Sequence, residues 1–232
     1  MAPPKPLILA IETSNPSIGT PGVALGRRSD DGGAVTLVTE PLATGARNSD
    51  DLTPAIARLF DRAGERREDL GRVLVSVGPG GFTALRVAIA CAKMLGEALG
   101  AELVPVPTAL VVGASLDPRD APTLVCLASK GETTFGVRFD ADAWTRSPQT
   151  LGVIDAAGLE RARVRTIAGD AHLPVAIARR AAELGVRVVE PSVSAEALLR
   201  VGHALPPADP LELAPIYPRE PEAVRKWREL RG

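Results

Sequence analysis

Two short runs of the sequence carry residue types that could bind a metal ion or a phosphate group. Glu12, Thr13 and Ser14 follow an apolar run typical of a strand, so a carboxylate and two hydroxyls would lie at a strand end. A glycine-rich run at 78–83, Gly-Pro-Gly-Gly-Phe-Thr, precedes a helical pattern, and glycines at that place can expose amides that bind phosphate. The residues that would lie near a nucleotide under this interpretation are Glu12, Thr13, Ser14, Gly78, Gly80, Gly81, Thr83 and Arg86.

Both runs also have a purely structural interpretation. A polar hairpin end accounts for residues 12–14, and a tight turn accounts for residues 78–81. The glycine-rich run lacks the Lys-Ser/Thr pair of a P-loop and does not have the spacing of a dinucleotide-binding loop. These two differences favour the structural interpretation.

The histidines, serines and cysteines of the sequence do not form the patterns of a metal site or of a catalytic nucleophile. The two histidines, His172 and His203, are far apart and not in a His-x-x-x-His arrangement, so no histidine metal site is expected. A Gly-x-Ser-x-Gly nucleophile elbow is absent from the sequence. Cys91 and Cys126 have neither metal-ligand nor disulfide spacing, and we expect both to be small buried apolar side chains. The sequence therefore predicts no metal site and no catalytic residue of the chain's own.

Composition sets the size of the fold and the kind of partner. The chain has 232 residues, 45% hydrophobic and 24% charged, which fits one large domain or two small lobes. Its 27 basic and 28 acidic residues give a net charge of -1, so nucleic acid would have to be held mainly by another chain. The proline-rich start has no signal-peptide pattern, and no run reaches the roughly 18 apolar residues of a membrane span, so we expect a cytoplasmic protein.

The elements that would position these residues follow from hydrophobic periodicity. The first half predicts strands at 7–11, 23–25 and 34–39, a helix at 52–63, a strand at 73–77, a helix at 82–99 and a strand at 103–106. This order is that of a ribonuclease-H-like lobe, the building block of actin-like ATPases. The second half predicts strands at 123–128, 134–139, 166–169 and 186–189 and helices at 108–116, 173–184 and 195–205, with a last helix at 222–230.

The predicted fold class is therefore α/β, with two ribonuclease-H-like lobes of the actin-like ATPase (ASKHA) type, each a mixed sheet flanked by helices. We expect the first lobe at 1–107, a smaller second lobe at 108–210, and a proline-rich tail at 211–232 that packs back on the first lobe.

The predicted helix at 82–99 has an unusually large apolar surface. Arg86, Lys93 and Glu97 share one narrow stripe, while Ala84, Ala88, Ala92 and Gly96 form a ridge of small residues that permits close approach of another helix. An apolar face of this width indicates cover on two sides. One cover is the helix's own sheet; the other is either a second helix of the same lobe or a helix of a partner chain.

Three runs together resemble the TsaB (YeaZ) family. They are residues 8–14, Ile-Leu-Ala-Ile-Glu-Thr-Ser; residues 78–86, Gly-Pro-Gly-Gly-Phe-Thr-Ala-Leu-Arg; and residues 215–219, Pro-Ile-Tyr-Pro-Arg. The chain departs from the family pattern at Gly81, usually serine, at Ala84, usually glycine, and at residues 128–130, usually Asp-Ala-Arg. The missing serine hydroxyl further weakens a phosphate site at the turn.

The resemblance implies a function without catalysis by this chain. Members of the TsaB family have the two-lobed actin-like fold and act as the non-catalytic partner of the paralogue TsaD in making N6-threonylcarbamoyladenosine in tRNA. It implies a heterodimer with a TsaD-type paralogue, a TsaE-type ATPase as a further candidate partner, a homodimer in isolation, and only indirect contact with tRNA. ATP and a metal would belong to the partner. The implied partner interface comprises Leu52, Ile56, Leu59, Ala84, Leu85, Ala88, Cys91, Ala92 and Leu95.

Other functions stay open at this point. The chain could be an independent hydrolase, or an ATPase or sugar kinase in which Glu12 holds magnesium, although 232 residues is short for two full nucleotide-binding lobes. It could also be a homodimer that pairs the same helix face with itself and binds nucleotide. ATP turnover by the purified chain distinguishes the ATPase from the accessory subunit.

Overall fold

The computed structural model describes residues 5–29, 32–43, 48–141, 148–219 and 227–228, with the side chains of 48 and 49 excluded. The helix predicted at 222–230 falls outside these residues apart from 227 and 228.

The first sheet has five strands and the predicted order of elements. Its strands are β1 (Leu7–Glu12), β2 (Gly22–Arg28), β3 (Ala34–Pro41), β4 (Leu70–Gly78) and β5 (Glu102–Pro107), arranged β3-β2-β1-β4-β5. β1, β2 and β3 pair antiparallel, whereas β4 and β5 continue parallel on the other side of β1. All six residues of β1 are buried, because this central strand has neighbours on both sides and helices on both faces.

The second sheet repeats this topology. Its strands are β6 (Thr123–Lys130), β7 (Thr133–Phe139), β8 (Gln149–Ile154), β9 (Thr166–Ala168) and β10 (Arg187–Val189), arranged β10-β9-β6-β7-β8. β6, β7 and β8 pair antiparallel, and β9 and β10 run parallel beyond β6. Two lobes with the same connectivity confirm the predicted fold class.

Six α-helices and three short 3-10 turns complete the described elements. The helices are α1 (Leu52–Ala63), α2 (Phe82–Leu99), α3 (Thr108–Ser115), α4 (Ala156–Ala162), α5 (Val175–Glu183) and α6 (Ala195–Gly202). The 3-10 turns are Asn48–Asp51, Arg67–Asp69 and Pro118–Asp120. β8 and α4 are absent from the sequence prediction.

Helices cover both faces of each sheet. α1 and α2 pack on one face of the first sheet, around Leu9 and Val75. α3 and α6 pack on its other face, and the core that they form continues into the second sheet through Val125. α4 and α5 cover the outer face of the second sheet. The prediction of a second lobe at 108–210 needs correction for α6, which packs against β1, β2 and β3 of the first sheet.

The tail after α6 also lies on the first lobe. The Ala208 amide donates to the Leu103 carbonyl at 2.9 Å, and the Ile216 amide donates to the Val77 carbonyl at 2.7 Å. Leu213 is buried in the same core as α1 and α2. The tail therefore passes the carboxyl end of β4, next to the glycine-rich turn.

Candidate functional site

The carboxyl group of Glu12 is sealed inside the protein at the end of β1. Glu12 is 0% exposed, and its Oε1 accepts hydrogen bonds from the Ser14 amide at 2.7 Å and the Ser14 hydroxyl at 2.5 Å. Its Oε2 has no hydrogen-bond partner within the described part of the chain. Burial raises the pKa of Glu12 above its ordinary value, and hydrogen bonds from Ser14 and Ser76 oppose that shift. This environment favours a neutral carboxylic acid.

Buried hydroxyls lie around this carboxyl group. Ser76 in β4 and Thr108 at the start of α3 are both 0% exposed, with their side-chain oxygens 3.3 Å apart. They come from the carboxyl ends of β4, which pairs with β1, and of β5, which pairs with β4, at the same edge of the sheet. Glu12, Ser76 and Thr108 therefore form a buried polar cluster at the end of β1.

The glycine-rich turn is pressed against the end of β1. A Cβ atom on Gly80 would lie 2.1 Å from the Ser14 carbonyl oxygen, so only glycine fits there. The Gly81 amide donates to the same carbonyl at 2.7 Å, and the Thr13 hydroxyl donates to the Ala84 carbonyl at 3.2 Å. The structure thus brings residues 12–14 and the turn together, as the nucleotide interpretation requires. The contacts between them are internal packing, which favours the tight-turn interpretation.

Arg86 and Gly78 contact the tail. The Arg86 guanidinium lies 3.9 Å above the Phe82 ring, and its Nε donates to the Tyr217 hydroxyl at 3.0 Å. The Phe82 and Tyr217 rings stack with centroids 5.3 Å apart. Gly78 has φ +100, and a Cβ atom there would meet the Ile216 carbonyl at 3.2 Å. Thr83, which the sequence also placed near a nucleotide, is exposed in the first turn of α2.

Most of the residues that the resemblance placed at a partner interface are buried in the chain's own core. The buried members are Leu52, Ile56, Leu59, Leu85, Ala88, Cys91 and Ala92, while Ala84 and Leu95 are partly buried. A Cβ atom on Gly96 would meet the Leu103 side chain at 2.8 Å, so the ridge of small residues faces the first sheet. The interpretation of this ridge as a partner contact is therefore corrected for Ala88 and Ala92, which are 0% exposed. Its small side chains let α2 lie close to β4 and β5.

A different stripe of α2 is exposed. Phe82 is 51% exposed and Met94 64%, and Thr83, Ala90 and Ala98 are exposed as well. At about 100° per residue, the partly buried Val87 joins Ala90, Met94 and Ala98 on an apolar half of the stripe, and the other half carries Arg86, Lys93 and Glu97. This apolar half is absent from the sequence predictions, although the spacing of these four residues could have shown it.

A small cavity lies next to the apolar half of the stripe. Its volume is about 40 Å³. It is lined by Thr13, Pro16, Pro21, Leu42, Leu52, Ala84 and Val87. The cavity therefore lies between the starts of α1 and α2 and the loop that follows β1.

Possible metal ligands and thiols have simple surroundings in the described part of the chain. Among the described residues, no three His, Cys, Asp or Glu side chains converge as a metal site. Cys91 and Cys126 are buried free thiols, and burial raises the pKa of both, that of Cys126 to about 12. None of the helices described in the structure combines the length and the apolar character of a membrane span.

Comparison with known proteins gives one family and one fold. A family model described as TsaD, tRNA N6-adenosine threonylcarbamoyltransferase, matches residues 39–205. The uncharacterized proteins Rv3421c of Mycobacterium tuberculosis and Mb3455c of Mycobacterium bovis are each 30% identical to the chain over 218 residues, 93% of both sequences.

Two solved structures match the fold over more than nine-tenths of the chain. YeaZ from Pseudomonas aeruginosa superposes with a TM-score of 0.59 at 19% identity, covering 91% of this chain and 99% of that one. A crystal structure of an uncharacterized Pseudomonas aeruginosa protein with similarity to peptidase YeaZ gives a TM-score of 0.60 at 19% identity, covering 92% and 100%. Similarity at this identity shows a shared fold.

Proposed function

Because the chain belongs to the TsaD family and has the YeaZ fold along nearly its whole length, we propose that it is a TsaB (YeaZ)-type accessory subunit. In this role it binds a TsaD-type catalytic paralogue that modifies tRNA. ATP and a metal ion then act on the catalytic subunit, a TsaE-type ATPase is a further partner, and tRNA is bound by the complex in the cytoplasm.

The observation that carries the proposal is the exposed apolar half of α2. Met94 is 64% exposed, and Ala90 and Ala98 are exposed beside it on a well-formed helix of 18 residues. Alanines allow a second helix to approach closely, and methionine adapts to the shape of a partner. Charge-bearing side chains along the other half, Arg86, Lys93 and Glu97, would fix the orientation of that helix.

The cavity beside this stripe supports the proposal that the partner binds on the same face of the chain. Val87 and Ala84 of α2 line it together with Leu52 of α1, so its wall is continuous with the apolar half. An aliphatic side chain of a partner helix that entered this gap would bury its surface against apolar atoms on several sides. Buried anchors of this kind supply much of the free energy of protein association.

Glu12, Gly81 and Arg86 are engaged in internal contacts, which supports an accessory role. Glu12 is 0% exposed and its Oε1 accepts hydrogen bonds from Ser14, so its carboxyl group is closed off from solvent. Gly81 donates its amide to Ser14, and Arg86 interacts with Phe82 and Tyr217. The strand end and turn position the beginning of α2, which carries the exposed stripe.

A binding measurement with charged variants tests the proposal. The chain is titrated with the TsaD-type paralogue of the same genome by isothermal calorimetry, using the parent, Ala90→Glu and Met94→Glu. An unpaired carboxylate buried in the contact should weaken binding at least about 100-fold. Val175→Glu is the matched control, because Val175 is 73% exposed on α5 of the second lobe. Its affinity should equal that of the parent.

Three results would overturn the proposal. They are no binding of the parent chain, unchanged binding of Met94→Glu and Ala90→Glu, and stoichiometric ATP hydrolysis by the parent chain without a partner. Circular dichroism of each variant confirms that the lobes remain folded. Light scattering of the parent alone measures self-association through the same face, which the paralogue should displace.

A further inference from the structure

The tail contacts the two lobes in succession. From Leu213 to Tyr217 it is anchored on the first lobe, and Arg219 then reaches the hairpin between β6 and β7 in the second. We infer that residues 213–219 form a strap that holds the two lobes in a fixed relative position. This inference rests on contacts within the chain and does not depend on the proposed partner.

The first-lobe end of the strap has three kinds of anchor. Leu213 is 4% exposed and belongs to the core beneath α1 and α2. The Ile216 amide donates to the Val77 carbonyl at the end of β4. Tyr217 stacks on Phe82 and accepts a hydrogen bond from Arg86. Burial, a backbone hydrogen bond and aromatic contacts thus fix adjacent residues to the same lobe.

The second-lobe end is held by one guanidinium group. Arg219 Nη1 donates to the Ala128 carbonyl, and Nη2 donates to the Thr133 carbonyl at 3.0 Å and the Thr133 hydroxyl at 2.8 Å. The planar guanidinium can make these bonds together, whereas an ammonium group has a different geometry. Hydrogen bonds to a charged donor are stronger than neutral ones.

The hairpin has an unusual backbone where Arg219 binds. Ala128 has φ +49, in the left-handed region that residues other than glycine rarely adopt. The register of β6 and β7 shifts between Leu127 and Lys130, so Ala128 lies outside the paired residues. Its carbonyl is held at this irregularity by the guanidinium of a residue 91 positions later in the chain.

The strap adds a second connection between the lobes. The first is the core around α3 and α6, where Ala10 of β1 and Val125 of β6 belong to one cluster. A single packed connection allows the lobes to rotate about it, as in hinge and shear motions. The strap joins the end of β4 to the β6–β7 hairpin outside that cluster, so rotation would have to break the Arg219 hydrogen bonds.

Hydrogen–deuterium exchange of the full chain tests the strap. Arg219→Ala should raise exchange of the amides at 128–134 about tenfold or more, and Arg219→Lys should have an intermediate effect. Tyr217→Ala should raise exchange of the same hairpin amides, although its ring lies on Phe82 in the other lobe. Arg179→Ala, an exposed arginine on α5, is the matched control and should leave the hairpin unchanged.

The Tyr217→Ala variant separates a strap from two local anchors. If the tail acts as one connection, losing the Tyr217 anchor loosens Arg219 and raises hairpin exchange, whereas two independent anchors would leave the hairpin unchanged. Unchanged hairpin exchange in Arg219→Ala would overturn the inference. So would a Tyr217→Ala effect confined to the start of α2, because the two ends would then be independent. The melting temperature of every variant is measured as well, because a global loss of stability would raise exchange throughout the chain and not only in the hairpin.

Discussion

Replacing Gly80 by alanine should destabilise the first lobe strongly, because the turn has no room for a side chain. The new Cβ would lie 2.1 Å from the Ser14 carbonyl oxygen, 2.8 Å from its carbon and 3.1 Å from its Cα. All three are backbone atoms, so no rotamer change relieves the overlap. Reaching an ordinary contact of 3.4 Å requires a shift of about 1.3 Å at the end of β1.

That shift has two costs. Forced repacking of a tight site costs about 1–3 kcal/mol, and losing the 2.7 Å bond from the Gly81 amide to Ser14 adds about 1 kcal/mol. We therefore expect Gly80→Ala to lower the free energy of unfolding by about 2–4 kcal/mol. Equilibrium unfolding in urea measures it as a lower midpoint at an unchanged slope.

The adjacent glycine provides the control. A Cβ atom on Gly81 would lie 3.7 Å from the Ser14 carbonyl oxygen and 3.9 Å from the Ala84 Cβ, both ordinary contacts. Gly81→Ala should therefore stay within about 1 kcal/mol of the parent. A Gly80→Ala loss below about 0.5 kcal/mol, or equal losses for the two variants, would refute the packing argument.

Three further predictions concern buried groups. Burial raises the pKa of Glu12 in the folded chain above its ordinary value of 4.5, so between pH 4.5 and the folded pKa the folded chain binds a proton that the unfolded chain does not. Over that range the free energy of unfolding should fall by about 1.4 kcal/mol per pH unit. Urea titrations should show this slope in the parent and not in Glu12→Gln. Ala88→Asp, at a site 0% exposed, should cost several kcal/mol, whereas Ala90→Asp on the exposed stripe should cost under about 1 kcal/mol by the same titration. Ellman's reagent at pH 8 should modify Cys126, whose pKa burial raises to about 12, only after unfolding, and modification of the folded chain would contradict its burial.

The first lobe could be predicted from sequence because its elements carry strong local signals. α2 begins and ends at the predicted residues, between Gly81 and a left-handed Gly100, and α1 ends before a left-handed Gly64. The continuous apolar runs of β1 and β4 match strands that are covered on both faces. These signals were sufficient to predict the lobe and its order of elements.

The second lobe was harder, since β8 and α4 have weak patterns. β8 contains Gly152 at φ +77 and lies exposed or half-buried at the edge of its sheet, so it lacks the continuous buried apolar run that marks β1 and β4. α4 has seven residues, about two turns, which is too short for clear helical periodicity. Pairing with β7 and packing against α5 form these elements, and neither contact is visible in a local sequence window.

The candidate site shows a different limit of sequence reasoning. Periodicity indicated the large apolar surface of α2, but it could not say which side of the helix faces the sheet and which side stays exposed. The ridge that includes Ala88 and Ala92 faces the first sheet, and the exposed apolar residues are Ala90 and Met94. Likewise, residue types at 12–14 suggested ion binding, whereas tertiary packing buries Glu12 completely.

Site-specific photo-crosslinking tests the central proposal most directly. A photoreactive amino acid is placed at position 94 of the exposed stripe in one variant and at position 175 on α5 in a control variant. Each variant is then irradiated together with the TsaD-type paralogue of the same genome. The account predicts a covalent adduct with the paralogue from position 94 and none from position 175. No adduct from position 94, or equal adducts from the two positions, would contradict it.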